Sequence, residues 1–250
     1  MIMKQTLSIL LPAIFLFSIH FAVAQNSADS IANDIKQFSE YQAQLSVEEC
    51  SASAQQWVDM LPQSELLTYA AQAQKILYTP YSSHNQRIAY RTLLQRLLQG
   101  NSNDVSLLRY KYMYEMLVHN NEGDSATDFI YYDINDNEHS LSEHNGNQTL
   151  IIFNDPECEE CASLRQHIID NGELQGIAID STTTILVIYP DMPTPEWREA
   201  VTHYPERWKI GYSEDVSDLY DLRTLPSTYL LDDKHIITLR NAHTYITVIE

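Results

Sequence analysis

The chain is poor in several residue types that common kinds of chemistry require. Its 250 residues include only three cysteines and six glycines, and 15 lysines and arginines stand against 34 aspartates and glutamates. Three cysteines are too few for a disulfide scaffold. The scarcity of glycine disfavours phosphate-cradling loops. The sequence also lacks the G-x-S-x-G motif that is typical of many serine hydrolases. A formal net charge of −19 argues against nucleic-acid partners and anionic membrane surfaces.

The N-terminal segment has the features of an export signal. Lys4 is the only charged residue among the first 28, and residues 7–21 are almost wholly apolar. Ala22-Val23-Ala24 then supplies small residues where signal peptidase cleaves. We interpret residues 1–24 as a cleaved signal peptide, which predicts an exported protein without a membrane span after cleavage. The alternative is an uncleaved anchor, but the apolar stretch is short against the roughly 20 residues that a span needs.

The hydrophobic pattern changes near residue 122. Through residues 27–120, apolar residues recur at three- and four-residue spacing, which predicts four or five helices with short connections. From residue 125, short apolar runs alternate with helical patterns, which predicts an α/β sheet of mixed direction. We therefore predict an α+β chain of two domains, an all-α domain over residues 25–120 and an α/β domain over residues 121–250. We expect the helical domain to contribute no catalytic group.

Individual elements of the second half can also be predicted. Strands are expected at residues 129–132, 139–141, 149–153, 184–189, 208–212, 227–231 and 235–239. Helices are expected at residues 158–170, 195–201 and 215–222.

The most informative motif is Cys158-Glu159-Glu160-Cys161, which lies between a predicted buried strand and a predicted helix. A helix N-terminus stabilises a thiolate, so a cysteine there becomes nucleophilic near neutral pH. A second thiol two residues further on can attack the mixed disulfide that the first one forms. The same spacing occurs in half of a zinc site, but the nine histidines show no ligand spacing. Cys50 is expected to be a small buried apolar side chain rather than a third redox residue.

Four motifs follow one another in order over the second half. They are the run Ala126-Thr127-Asp128-Phe129, the run Leu141-Ser142-Glu143, the strand with its cysteine pair, and the L-P-S-T-Y-L-L-D run over residues 225–232. Together they resemble the thioredoxin superfamily, specifically its periplasmic TlpA-like branch. The first half is similar to an uncharacterised helical domain that precedes thioredoxin-like domains in envelope proteins of Gram-negative bacteria.

The resemblance implies a thioredoxin-like C-terminal domain and an envelope thiol–disulfide oxidoreductase. Such an enzyme needs no cofactor and exchanges disulfides with protein thiols or disulfides, with an unknown electron donor. Cys158 would be the attacking thiol and Cys161 the resolving thiol. Pro226, expected to follow a cis bond, would face the pair. The backbone of Leu225 would then bind a partner segment in the manner of a strand.

The chain departs from the family pattern around the cysteines. Glu157 stands where an aromatic residue is usual, and Ile152 stands where thioredoxins proper keep a buried acid. Glu157, Glu159 and Glu160 also surround the pair with negative charge, which opposes thiolate formation. We therefore expect a couple closer to a reductant than to a strong oxidant. These departures support an alternative, a non-catalytic thioredoxin-fold binding module with a structural disulfide.

Overall fold

The computed structural model describes residues 28–99, 104–144, 147–174, 177–179 and 181–241. The predicted signal peptide lies outside the described residues. Within these ranges, no helix is both long enough and apolar enough to cross a membrane.

The first part of the described chain is helical, as the periodicity predicted. Its five α-helices are α1 (Ala28–Gln42), α2 (Val47–Met60), α3 (Leu66–Leu77), α4 (His84–Leu98) and α5 (Leu108–Val118). Helices α2 and α4 each begin at a capping box, in which a serine side chain and a side chain three residues later accept each other's backbone N–H. These reciprocal bonds satisfy amide groups that would otherwise lack partners at the helix start.

The core of the helical part is formed by side chains from all five helices. Phe38 of α1 stacks on Trp57 of α2, with ring centroids 4.3 Å apart. Cys50 has no exposed surface in this cluster, and its sulfur is a donor to the Gln42 side chain. Desolvation raises the pKa of the Cys50 thiol to about 11. The prediction that Cys50 is buried is confirmed.

The second part of the chain is built on a seven-stranded mixed sheet. Its strands are β1 (Ile130–Asp133), β2 (Glu138–Ser140), β3 (Thr149–Phe153), β6 (Thr184–Tyr189), β7 (Lys209–Tyr212), β8 (Ser227–Leu231) and β9 (Ile237–Arg240). Their order is β2-β1-β7-β6-β3-β8-β9, with β6 parallel to both β3 and β7 and the other pairs antiparallel. A separate two-stranded hairpin joins β4 (Glu173–Leu174) and β5 (Ile177–Ala178). A helical part followed by an α/β part with a mixed sheet is the fold class that the sequence predicted.

Among the described residues, three α-helices accompany this sheet, namely α6 (Glu159–Asn171), α7 (Pro195–Ala200) and α8 (Val216–Leu219). Side chains alternate across the central strand β3. Ile151 and Phe153 enter an aromatic-rich cluster on one face, whereas Leu150 and Ile152 enter a cluster on the other face that includes residues of α6. The centre of the sheet is therefore buried on both faces, and α6 packs against it just beyond the end of β3.

The two parts meet around residues 119–124, which include the change in hydrophobic pattern near residue 122. Asn120 and Asn121 are buried there, at 3% and 7% exposure. The Asn120 side chain donates to the Leu219 carbonyl at 2.9 Å and accepts from the Thr127 amide at 2.8 Å. Gly123 donates its backbone N–H to the Ile237 carbonyl at 2.8 Å. This segment is hydrogen-bonded to the sheet rather than extended into solvent.

Candidate active site

Cys158 lies at the start of α6, which the chain enters soon after leaving β3. It occupies the N-cap position, and its Sγ accepts a hydrogen bond from the backbone N–H of Cys161 at 3.1 Å. The preceding turn is held by Asp155, whose carbonyl accepts from the Cys158 amide at 3.2 Å. At the other end, Gly172 closes the helix in a left-handed conformation (φ 63°), which glycine adopts without steric cost. The sulfur of Cys158 is thus directed at the positive end of the helix.

Cys158 and Cys161 form a disulfide, with Cα atoms 5.2 Å apart. The two sulfurs differ in access, because Cys158 is half-buried while Cys161 is only 2% exposed. A partner can therefore reach the first sulfur more readily than the second.

The second predicted motif lies next to this pair. The Leu225–Pro226 peptide bond is cis, as the sequence predicted. Pro226 is buried and directly precedes β8, which pairs with β3 in the sheet. The carbonyl oxygen of Leu225 lies 3.4 Å from Cys158 Sγ. The structure therefore brings Cys158, Cys161, Leu225 and Pro226 together, although 67 residues separate Cys158 from Leu225.

The surroundings of the pair are acidic. An oxygen of the Glu160 carboxylate lies 3.8 Å from Cys158 Sγ. The pKa of Tyr189, at the end of β6, is raised first by desolvation and then by the carboxylates of Asp155, Asp191 and Glu157. The negative charge inferred from the sequence therefore also raises the pKa of Tyr189, a residue outside the motif.

Sequence reasoning missed a polar cluster beside α6. Ile152 is buried in the apolar cluster, so the position where thioredoxins proper keep an acid is apolar here. Two residues later, the Asn154 amide donates to the Tyr204 hydroxyl oxygen at 2.9 Å. Arg165 of α6 donates to the same oxygen at 2.9 Å and lies 4.7 Å from the Tyr204 ring centroid. No sequence signal links Tyr204 to the motif, because it comes from a turn that is distant along the chain.

Metal binding receives no support from the described residues, among which no group of three or more His, Cys, Asp or Glu side chains could hold a metal ion. In the thiol–zinc alternative, His167 would have been the nearest histidine along the sequence. Its ring nitrogen instead lies 3.2 Å from the Asn171 side chain on the same helix.

Comparisons with known proteins support the architecture. No protein-family description and no curated protein matches the chain. Among solved structures, it is similar to a thioredoxin-like protein from Bacteroides caccae ATCC 43185, with a TM-score of 0.73 and 20% identity over 87% of this chain and 81% of that chain. It is also similar to a conserved protein of unknown function from Bacteroides fragilis (TM-score 0.44, 28% identity, 49% of this chain and 92% of that chain). The thioredoxin domain of a thiol-disulfide oxidoreductase from Bacteroides vulgatus gives a TM-score of 0.42 and 21% identity, over 48% of this chain and 88% of that chain.

The similarity to the Bacteroides caccae protein covers 87% of this chain, which is more than either the helical part or the sheet part alone. It therefore includes helices as well as the sheet. Since the identity is low, the similarity concerns the fold. The chain has a thioredoxin-like fold preceded by a helical region.

Proposed function

We propose that this protein is a thiol–disulfide oxidoreductase of the cell envelope, related to the TlpA-like branch of the thioredoxin superfamily. Its Cys158–Cys161 pair exchanges disulfides with protein partners. The observation that carries the proposal is the position of Cys158 Sγ. It accepts the Cys161 amide at 3.1 Å at the helix start and lies 3.4 Å from the Leu225 carbonyl. A sulfur held at a helix N-terminus is favoured as a thiolate, which is the reactive form.

The reaction begins from the reduced pair. The Cys158 thiolate attacks one sulfur of a partner disulfide, which forms a mixed disulfide and releases one partner thiolate. Cys161 then loses its proton to solvent and attacks the Cys158 sulfur, which releases the second partner thiolate. The partner has gained two electrons, and the protein is left as the Cys158–Cys161 disulfide. A dithiol electron donor returns the pair to its reduced form by the reverse sequence.

The Leu225 backbone supports binding of an extended partner segment. Pro226 has no N–H, and the preceding carbonyl faces the Cys158 sulfur. A partner strand that hydrogen-bonds to this backbone would hold its own sulfur close to Cys158.

Two further elements of the proposal concern the whole chain. Residues 1–24 direct export and are removed, and residues 25–120 and 121–250 act as a helical and a thioredoxin-like domain. Mass spectrometry of the exported protein tests the first element, since it should report Gln25 at the N-terminus. Expression of residues 121–250 alone tests the second, since this fragment should fold and unfold cooperatively without residues 25–120.

The central test is redox cycling in the full mature chain. With dithiothreitol as donor, the wild type should reduce a protein disulfide such as that of insulin, whereas a Cys158→Ser, Cys161→Ser double variant should not exceed the uncatalysed rate. A folded wild-type protein without activity above the double variant would reject the proposal. That result would favour the binding module with a structural disulfide, which the apolar Ile152 position supports.

A further inference from the structure

Arg223 connects the segment before Pro226 to the helical domain. Its Nη1 donates to the backbone carbonyl of Tyr78 at 2.7 Å. Its guanidinium carbon also lies 3.4 Å from the centroid of the Tyr78 ring, which is a close cation–π contact. Tyr78 directly follows α3 and is only 3% exposed, so its position is determined by the helical core.

The Arg223 guanidinium also pairs with Asp221, which belongs to the same loop. Its Nε and Nη2 donate to the two carboxylate oxygens of Asp221, both at 2.7 Å, a bidentate pair. Arg240 of β9, whose side chain is fully buried, donates to the same carboxylate at 3.1 Å. The Asp221 side chain is 6% exposed, and although burial alone would raise its pKa, the two arginines hold it below its usual value. Asp221 is therefore a fixed anion that keeps Arg223 in one orientation.

The loop held in this way is the one that presents Leu225 to the cysteine pair. Arg223 precedes Leu225 by two residues, and the Leu225 carbonyl lies 3.4 Å from Cys158 Sγ. On the far side of Pro226, the Ser227 hydroxyl donates to the Asp221 carbonyl at 3.3 Å. The ends of this loop are thus tied together, and the contact of Arg223 with Tyr78 determines where the loop lies relative to the helical domain.

A second contact between the parts acts on the same region. The side chain of Asn241 donates to the carbonyl of Pro80 at 3.5 Å, in the loop between α3 and α4. The Asn241 backbone N–H donates to the Thr228 carbonyl at 2.7 Å, and its side-chain oxygen accepts from Ser227 at 3.3 Å. The loop after α3 therefore contacts residues on both sides of Pro226.

We propose that Arg223 is a positioning residue for disulfide exchange, and that Tyr78 is the surface of the helical domain on which it rests. The helical domain in this way sets the position of the Leu225 backbone against the Cys158 sulfur and promotes binding of extended protein partners. This inference rests on the proposed function. It is consistent with a helical domain that supplies no catalytic group, because Arg223 and Tyr78 act through Leu225.

The test compares two substrates in the full mature chain. A protein disulfide uses the Leu225 backbone, whereas hydroxyethyl disulfide is too small to pair with it. Arg223→Ala should lower kcat/KM for the protein disulfide about tenfold, mainly through KM, since a small misplacement of a binding group weakens productive binding. The rate with hydroxyethyl disulfide and the reduction potential of the pair should stay at the wild-type values. Asp221 keeps Arg240 as a partner in this variant.

Arg198→Ala is the matched control. Arg198 lies 5.9 Å from the Trp197 ring centroid and donates to the Asp136 carboxylate and the Ile134 carbonyl, both at 3.3 Å. It therefore makes the same three kinds of contact as Arg223, within the same domain. This variant should keep the wild-type rates with both substrates.

A second pair of variants tests the helical side of the contact. Tyr78→Leu removes the ring on which Arg223 lies, whereas Tyr78→Phe removes only a hydroxyl that has no hydrogen-bond partner within the described residues. Tyr78→Leu should reproduce the selective loss toward the protein disulfide, and Tyr78→Phe should behave as wild type. This comparison decides the matter even where Arg223→Ala fails to fold.

Three results would count against the inference in different ways. An active wild type whose Arg223→Ala and Tyr78→Leu variants keep full activity toward the protein disulfide overturns the positioning role. Equal losses with both substrates also overturn it, since a general structural defect would produce them. A wild type inactive toward both substrates overturns the proposed function itself.

Discussion

At Cys158, two electrostatic effects oppose each other on one sulfur. The helix start and the Cys161 amide at 3.1 Å favour the thiolate, while the Glu160 carboxylate at 3.8 Å disfavours it. Because Glu160 is exposed, solvent weakens its effect without removing it. The balance of the two determines how reducing the pair is.

Replacing Glu160 with Gln should therefore lower the pKa of the Cys158 thiol. A thiolate that is easier to form stabilises the reduced protein, so the reduction potential should become less negative, by about 10–30 mV for a pKa change of up to about one unit. The pH dependence of Cys158 alkylation gives the pKa, and equilibration with a graded glutathione buffer gives the potential. We expect the wild-type potential to lie well below the roughly −120 mV of the strongest periplasmic oxidants.

Glu159→Gln is the control for this experiment, since it removes the same charge one residue earlier. If the two variants shift the potential equally, the effect comes from net charge rather than from the position of Glu160. A shift of the Glu160→Gln potential to more negative values would contradict the electrostatic argument.

The difference in burial between the two cysteines leads to a second prediction at this scale. Cys161→Ser should accumulate mixed disulfides with partners through Cys158, because no thiol remains to resolve them. Cys158→Ser should trap few, since the remaining thiol is only 2% exposed. Non-reducing gel electrophoresis after acid quenching measures the trapped fraction. More trapping by Cys158→Ser than by Cys161→Ser would reverse the assignment of the two roles.

At the scale of elements, the start of α4 is joined to the segment that leads into the sheet. Glu122 accepts from His84 and from Arg87, both at 2.6 Å. Burial alone would raise the pKa of Glu122, but the bond from His84 and the charge of Arg87 outweigh it and lower the pKa to about 2. The ionised carboxylate is therefore favoured in the folded protein.

Glu122→Gln should cost about 2 kcal/mol of stability at pH 7, because a depressed folded-state pKa stabilises the protein wherever the carboxylate is ionised. The stabilisation is complete above the ordinary glutamate pKa of 4.5 and is lost as the pH falls through about 2. The gap in urea-unfolding free energy between wild type and variant should therefore shrink across that range.

Glu115→Gln serves as the comparison, since Glu115 pairs with His119 at 3.8 Å but both side chains are more than 60% exposed. Its unfolding free energy should stay within about 0.5 kcal/mol of wild type, as is usual for exposed pairs. A Glu122→Gln difference that persists unchanged down to acid pH would show that the stabilisation does not depend on ionisation.

The elements also differ in how well they could be predicted. Strands β3, β6 and β8 coincide with the predicted segments residue for residue, because each contains an apolar run and lies in the interior of the sheet. Strands β1, β7 and β9 begin one or two residues later than predicted and β2 begins one residue earlier, since their ends depend on pairing with neighbours. The hairpin of β4 and β5 was not predicted, because two-residue strands have no periodicity to detect.

At the scale of the whole molecule, the net charge of −19 and the acidic residues near the cysteine pair attract cationic reactants. Cystamine, a cationic disulfide, should oxidise the reduced protein about tenfold faster than anionic glutathione disulfide at roughly 10 mM ionic strength. The two rates should converge near 1 M salt, where the screening length is about 3 Å.

Hydroxyethyl disulfide is neutral, so the rate at which it oxidises the protein should change little with salt. This rate serves as the reference that separates the effect of charge from any effect of salt on thiol reactivity. Stopped-flow measurement of the loss of free thiols gives all three rates. A preference for glutathione disulfide at low salt would mean that the local field at Cys158 is not negative.

The sequence by itself determined the division into helices and sheet, the place of the cysteine pair at a helix start, and the proline that precedes β8. Each of these depends on local signals, namely periodicity, turn residues and short motifs. The tertiary structure decided which residues distant along the chain come into contact around the cysteine pair and its neighbouring loop. Arg223 and Tyr78, which are in contact, lie 145 residues apart in the sequence, and Tyr204 and Arg165 lie 39 residues apart. Such contacts leave no local signal, because packing alone determines which side chains from separate elements lie within hydrogen-bond distance of one another.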